Sequence, residues 1–257
     1  MSTFAVVIPA RYASERLPGK PLRHIAGKLL LQHVFERAME SEASEVIVAT
    51  DDSRIRQAAE AFGARVCMTG SHHRSGTERL EEVSRLQNWA GDRVVVNLQG
   101  DEPLMPPGLI NQCAALLHSA GVAMATLASP VTSVEDFNDP NVVKVIVDSN
   151  DDAIYFSRAA IPYSRSPRTD ELAIRTALHH HGIYAYRATV LQQIVAAPRS
   201  PLEESEQLEQ LRAIEMGIRI RVGRPARRPG PGVDTEADLA KVERLIASSV
   251  LSQKFVT

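Results

Sequence analysis

The chain has 257 residues, 44% of them hydrophobic and 23% charged, with 29 Lys and Arg against 31 Asp and Glu, a formal net charge of -2. This balance excludes a disordered or fibrous chain and gives no overall pull toward nucleic acid or anionic lipid, so any basic site has to be local. No window approaches the roughly 18 apolar residues of a membrane span, and the opening apolar run lacks a basic flank and is cut by Pro9, so it reads as a strand rather than a signal peptide. Cys67 and Cys113 sit in apolar surroundings without metal-ligand spacing. A soluble protein of a reducing cytoplasm is expected.

In chain order, FAVVIPA (4 to 10), EVIVAT (45 to 50), ARVCM (64 to 68), DRVVVNL (92 to 98) and VAMATLA (122 to 128) read as strands, with helices near 28 to 41, 52 to 62, 77 to 90 and 107 to 120 between them. The near-continuous apolar character suits strands covered on both faces, so the fold class is α/β with a mainly parallel central sheet and helices on both faces. After residue 130 the pattern loosens. KVIVD (144 to 148), AIYFS (153 to 157) and HHGIYAYR (180 to 187) read as strands that need not be parallel, around a polar loop IPYSRSPRTDE. Ser200, Pro201 and Glu203 form a capping-box signature for a helix running to about Gly217, with Glu206, Glu209 and Gln210 on a polar face. IRIRVG (218 to 223) reads as a strand, and Thr235 with Asp238 caps a last helix. One domain over 1–257, with an inserted mixed sheet region around 130–200, is the expected organisation.

Ligands of open α/β sheets bind beyond the carboxyl ends of the strands. The stretch PARYASERLPGKPL (9 to 22) leaves the first strand there, and Pro18 and Pro21 stiffen it so that Arg11, Arg16 and Lys20 can converge on one anion. Like charges held about 4 Å apart at an effective dielectric near 20 repel by about 4 kcal/mol per pair, which a polyanion such as a nucleoside triphosphate reverses. The stretch is neither a Walker loop nor GxGxxG. NLQGDEPLMPP (97 to 107) follows the fourth strand, where Asp101 can hold Mg²⁺ against phosphates; Asp234 in GVDT has a similar context. These two make one metal site only if the fold brings them together. HHRSGTERLEEV (72 to 83) is a small-residue turn feeding a helix, whose amides can read a base or phosphate or serve only as a cap. In HHH (179 to 181) only His179 and His181 can share a strand face, which leaves a metal site there one ligand short.

Taken in order, PARYASERLPGKPL, SGTERL, NLQGDEPL, FSRAAIPY, HHGIYAYR, SPLEESEQLEQLR and GVDTEADL resemble the 3-deoxy-manno-octulosonate (Kdo) cytidylyltransferase family over residues 5 to about 242. The resemblance implies a Rossmann-related, GT-A-like nucleotidyltransferase, a homodimer that joins CTP and Kdo into CMP-Kdo and pyrophosphate for lipopolysaccharide, with Mg²⁺ as cofactor. It implies nucleotide binding by Pro9, Ala10, Arg11, Arg16 and Lys20, with Arg11 and Lys20 as the triphosphate ligands and Arg16 beside them, and a cytidine-side loop of Ser75, Gly76, Thr77 and Arg79 with Gln99 nearby. It makes Asp101 and Asp234 the magnesium carboxylates, which with Lys20 are the catalytic set. Arg158, His180, Tyr184, Glu209 and Gln210 fall to the sugar acid. Three features depart from the family: Glu15 stands where Thr or Ser is usual, His181 where the family is aliphatic, and the run ARRPGPG is unusually basic. An acceptor such as neuraminate or 8-amino-Kdo, or a silent CTP-sensing module, are the competing readings of the same motifs.

Overall fold

A buried apolar run must satisfy its own backbone hydrogen bonds, and FAVVIP does so as strand β1 (Phe4–Pro9), buried from Phe4 to Ile8. The structure, a computed structural model, describes residues 3–13, 16–166, 168 and 170–254, with side chains as far as residue 248. Ser14 and Glu15, and with them the departure expected at Glu15, lie outside the described residues. A 3-10 turn (Lys20–Leu22) and a hairpin, β2 (His24–Ile25) and β3 (Lys28–Leu29), lead into α1 (Leu30–Met39). The expected alternation follows: β4 (Glu45–Thr50), α2 (Ser53–Ala61), β5 (Arg65–Met68), α3 (Gly76–Leu86), β6 (Val94–Asn97) and α4 (Pro107–Ala115). Then come β7 (Met124–Pro130), α5 (Val134–Asn138), β8 (Lys144–Val147), β9 (Ala153–Ser157), α6 (Asp170–Thr176) and β10 (Leu178–Arg187). The chain continues as α7 (Ala188–Ala196), α8 (Pro201–Glu206), α9 (Gln210–Glu215), β11 (Ile220–Gly223) and α10 (Glu236–Lys254). The fold is α/β with a mainly parallel central sheet.

Two compact units emerge from the chain: residues 1–89, 97–111 and 229–257 form the first, and residues 90–96 and 112–228 the second, which contains the stretch 130–200. In the first, β1 pairs parallel with β4 and β4 parallel with β5, for example Val7↔Ile47 and Val48↔Val66. Parallel strands put all their carboxyl ends on one edge, which collects the loops after Pro9, Thr50 and Met68. Leu17 anchors the first of these loops. It is fully buried in a cluster with Ile25, Leu30, Val233, Leu239 and Val242, and burying a leucine is worth about 1.5–3 kcal/mol.

The second unit is mixed. β7 runs antiparallel to β10 and parallel to β11, while β8 runs antiparallel to both β10 and β9. This is why the run of continuous apolar strands dissolves after residue 130. The helix expected from 201 to 217 is two helices. Gln207 adopts a left-handed conformation (φ 53), so α8 stops and α9 turns back. In an unbroken helix residues nine apart stand roughly 13 Å apart along the axis; here Arg212 reaches Glu203 with Nε–Oε2 at 2.7 Å and Nη2–Oε1 at 2.6 Å, both side chains buried. α7 went unforeseen because it follows β10 without a turn residue, so its buried Ala188, Val190, Leu191 and Ile194 extend the strand's apolar pattern.

Candidate active site

The loop after β1 is shaped by two close approaches. Gly19 has φ +65 and lies against the Tyr12 ring, where an added Cβ would meet the ring carbon Cζ at 3.2 Å; Arg54 covers the same ring 3.3 Å from its centroid. Gly100 is demanded by contact. A Cβ there would stand 2.9 Å from the Pro9 carbonyl oxygen, so only glycine lets the loop after β6 pass the end of β1. That passage puts Asp101 beside the cationic loop.

From the third segment, Val233 donates its N–H to the Asp101 carbonyl at 2.9 Å, and the Thr235–Asp238 capping box forms as expected, with Asp238 also accepting from the Asp234 N–H at 3.2 Å. The Asp234 carboxylate is thereby turned away from the helix. The result is one cluster: Lys20 Nζ lies 2.7 Å from Asp101 Oδ2 and 3.0 Å from Asp234 Oδ1, and Arg16 Nη2 lies 3.0 Å from Asp234 Oδ2. Burial alone would lower the Lys20 ammonium, but Asp101 and then Asp234 outweigh it and hold the group above the ordinary lysine value. Glu102, next to Asp101, is pushed up to about 8 by burial and then by the charges of Asp101 and Asp234, against the pull of Lys20. Arg11 is exposed at the mouth of the same loop, and the buried Ala10 donates its N–H to the Ala49 carbonyl at 2.9 Å.

The candidate cytidine-side residues gather at the start of α3. Ser75 caps the helix by accepting from the Glu78 N–H, Thr77 is buried, and an added Cβ at Gly76 would stand 3.4 Å from Pro9 Cγ, 3.5 Å from Asn97 Nδ2 and 3.7 Å from Gln99 Nε2. Arg79 is not turned outward. It is buried, donates to Thr69 Oγ1 and lies 3.4 Å from Asp51. Asn97 is a residue that sequence reasoning passed over: it is buried and its Oδ1 has no hydrogen-bond partner, and its position next to Gln99 at the end of a strand was the available signal.

In the second unit, Arg158 spends its guanidinium on carbonyls, Nε to Glu206 at 2.9 Å and Nη1 to Pro140 at 3.0 Å, and its own N–H binds the Glu206 carboxylate at 2.9 Å. Glu206 therefore is not on a solvated face. The histidine run splits by strand parity: the rings of His179 and His181 lie 5.0 Å apart, while His180 stands with Tyr184 at 5.2 Å and Phe156 at 5.1 Å. Burial is the main reason that His180 and His181 are pushed down to about 3, so both are neutral, with His180 Nε2 3.1 Å from Thr126 Oγ1 and His181 Nε2 2.7 Å from Ser129 Oγ. Burial, then Tyr186 and Glu209, raise the Tyr184 phenol. Gln210 is buried, not exposed on a polar helix face, and its Nε2 has no partner among the described residues. In the basic run, Arg224 pairs with Asp151 at 3.2 Å and Arg228 donates to the Pro130 carbonyl.

A parallel sheet whose loops gather cations and two acids at its carboxyl edge has the architecture of an α/β ligand-binding enzyme, and the comparisons make that class nucleotidyltransferase. A family model described as cytidylyltransferase matches residues 5–220. A 3-deoxy-manno-octulosonate cytidylyltransferase of Thioalkalivibrio sulfidiphilus is 49% identical over 247 residues, 95% of this chain and 99% of that protein. Its counterpart in Cellvibrio japonicus is 50% identical over 250 residues, 95% and 98% of the two chains. Among solved structures, CMP:2-keto-3-deoxy-manno-octonic acid synthetase complexed with CTP superposes with a TM-score of 0.88 at 45% identity, covering 96% of this chain and all of that one (100%). A cytidylyltransferase of Leptospira borgpetersenii, 17% identical, shares the fold with a TM-score of 0.64, covering 96% of this chain and 88% of its own. The chain belongs to the cytidylyltransferase family of nucleotidyltransferases, and within it to the 3-deoxy-manno-octulosonate branch.

Proposed function

We propose that the protein transfers CMP from CTP to Kdo, releasing pyrophosphate, and that it does so in the cytoplasm as a homodimer supplying CMP-Kdo for lipopolysaccharide. The observation that carries this reading is the meeting of Lys20, Asp101 and Asp234, from three separate stretches of chain, within 3.0 Å of one ammonium nitrogen. Such a cluster suits a triphosphate with a divalent ion. Magnesium takes one or two carboxylates and completes its shell with substrate oxygens and water. Asp101 and Asp234 are hard oxygen donors of that number, and no group of three or more His, Cys, Asp or Glu side chains among the described residues makes a closed metal cage. Bound by these two carboxylates, magnesium would supply positive charge to the phosphates and lower the pKa of a coordinated hydroxyl.

In this reading the anomeric hydroxyl oxygen of Kdo attacks the α-phosphorus in line and releases its proton to solvent, the bond to the α,β-bridging oxygen breaks, and pyrophosphate leaves with that electron pair. The chain's part is positioning and charge. Lys20 and Arg11 face the developing charge of pyrophosphate, and Arg16 adds a cation at the rim. The amides at the start of α3, with Gln99, hold the cytidine. Arg158, His180, Tyr184, Glu209 and Gln210 hold the sugar acid, and the unpaired buried Nε2 of Gln210 favours a ligand that brings a hydrogen-bond acceptor such as a hydroxyl. The test is pyrophosphate release from CTP and Mg²⁺ with a panel of acceptors. Kdo should support turnover well above neuraminate and 8-amino-Kdo, and CTP alone should release none. Absence of release with every acceptor, or a preference for neuraminate, overturns the reading.

A further inference from the structure

The loop between β5 and α3 is tied back onto the helix that it feeds. Glu82, two turns into α3, accepts the Gly70 N–H through Oε2 at 2.8 Å, and the same oxygen lies 2.5 Å from His73 Nε2. Glu78, one turn earlier on the same helix face, accepts the Arg74 N–H at 2.8 Å and stands 3.9 Å from His73 Nδ1. Arg79 holds the start of the loop through Thr69. The tie is closely packed: a Cβ at Gly70 would meet His72 Cε1 at 2.4 Å, so the exposed His72 ring would have to move, and that ring lies 4.4 Å from that of His73. None of these contacts is needed to start the helix. Ser75 already caps it. What they fix is the path of residues 69–74, and so the placement of Ser75 and Gly76 against Pro9, Asn97 and Gln99.

Burial would raise the Glu82 carboxyl, but the hydrogen bonds from His73 and the Gly70 amide hold it below the usual carboxylate range, so the tie is charged at neutral pH. We infer that Glu82, with His73, is a positioning pair that sets how well the enzyme tells cytosine from uracil, by fixing the amides of Ser75–Thr77 beside Gln99. This rests on the assignment of those residues to the cytidine in the proposed function. A loop set loose keeps its phosphate contacts elsewhere, in the loop after β1, and loses the rigid edge that selects a base.

The experiment compares CTP and UTP binding to the full-length protein by calorimetry with Mg²⁺, for wild type, Glu82→Ala, Glu82→Gln and His73→Ala. Loss of a charge-assisted hydrogen-bond pair of this kind corresponds to roughly a tenfold change in an equilibrium constant. Glu82→Ala should weaken CTP about tenfold and UTP less than about threefold, while KM for the sugar acid stays unchanged; Glu82→Gln, which keeps an acceptor for the Gly70 amide, should recover part of the CTP affinity. Lowered thermal stability with an unaltered CTP to UTP ratio would make Glu82 a structural residue and overturn the inference. If Glu82→Ala does not fold, His73→Ala is read by the same ratio, and an unaltered ratio there also overturns it. A wild type that binds both nucleotides alike defeats the inference. A wild type that selects CTP yet releases no pyrophosphate with Kdo defeats the proposed function and leaves the inference standing on the binding ratios.

Discussion

The two candidate corners of this molecule are built on opposite principles. In the first unit, charges are left partly solvated and paired with one another: Arg16 and Asp234 keep 61% and 48% of their side-chain surface exposed. In the second, His180, Tyr184 and Gln210 of the candidate sugar-acid set are neutral and buried while Arg158 and Glu209 are half-buried, and the Arg212–Glu203 pair of the same unit is at 6% and 5% exposure. Ion pairs in water contribute about 0–1 kcal/mol each, whereas removing one partner of a buried pair costs about 3–5 kcal/mol. The first corner is therefore adapted to exchanging partners when a polyanion arrives, and the second to holding a shape.

The largest effect expected from this contrast is on stability. Arg212→Met should destabilise the protein by about 3–5 kcal/mol, because Glu203 is left buried without its cation, and thermal unfolding checks it; a change under about 1 kcal/mol would show that the two corners do not differ in kind. The next is pH-dependent. His181 has its folded pKa near 3 against an ordinary 6.5, so the unfolded chain binds the proton first and stability, full above pH 6.5, is lost as pH falls from 6.5 toward 3. By pH 5 this one residue removes roughly 2 kcal/mol. His181→Leu should flatten the acid side of a plot of Tm against pH, and an unchanged slope would contradict the buried neutral ring. On the ligand side, Gln210→Leu should raise KM for the sugar acid about tenfold and leave KM for CTP alone. The smallest effect is Arg16→Ala, which should shift stability by less than about 1 kcal/mol and respond to salt, as denaturation in low and high salt would reveal.

The same contrast governs how much was legible from residues alone. β1 and β4 of the first unit are buried on both faces and so stand out as unbroken apolar runs, and Gly100 marks the turn that places Asp101. That Asp101 and Asp234 share one ammonium was not legible, because the long stretch of chain between them must fold first. In the second unit the break at Gln207 carries no glycine or proline to announce it, and it goes together with the buried pairing of Glu203 with Arg212. Gln210 therefore looked like part of a solvated face and is buried. Parity along the strand did separate His179 and His181 from His180. The Glu82 tie was hidden in TERLEEV, where acids four apart read as ordinary helix surface.

The most direct measurement is the turnover of Asp234→Asn at saturating magnesium, followed by pyrophosphate release from CTP and Kdo. Loss of one charge-stabilising carboxylate predicts a fall of roughly two to three orders of magnitude with the protein still folded. Turnover within a few-fold of wild type would contradict the claim that Asp101 and Asp234 together serve the reacting nucleotide.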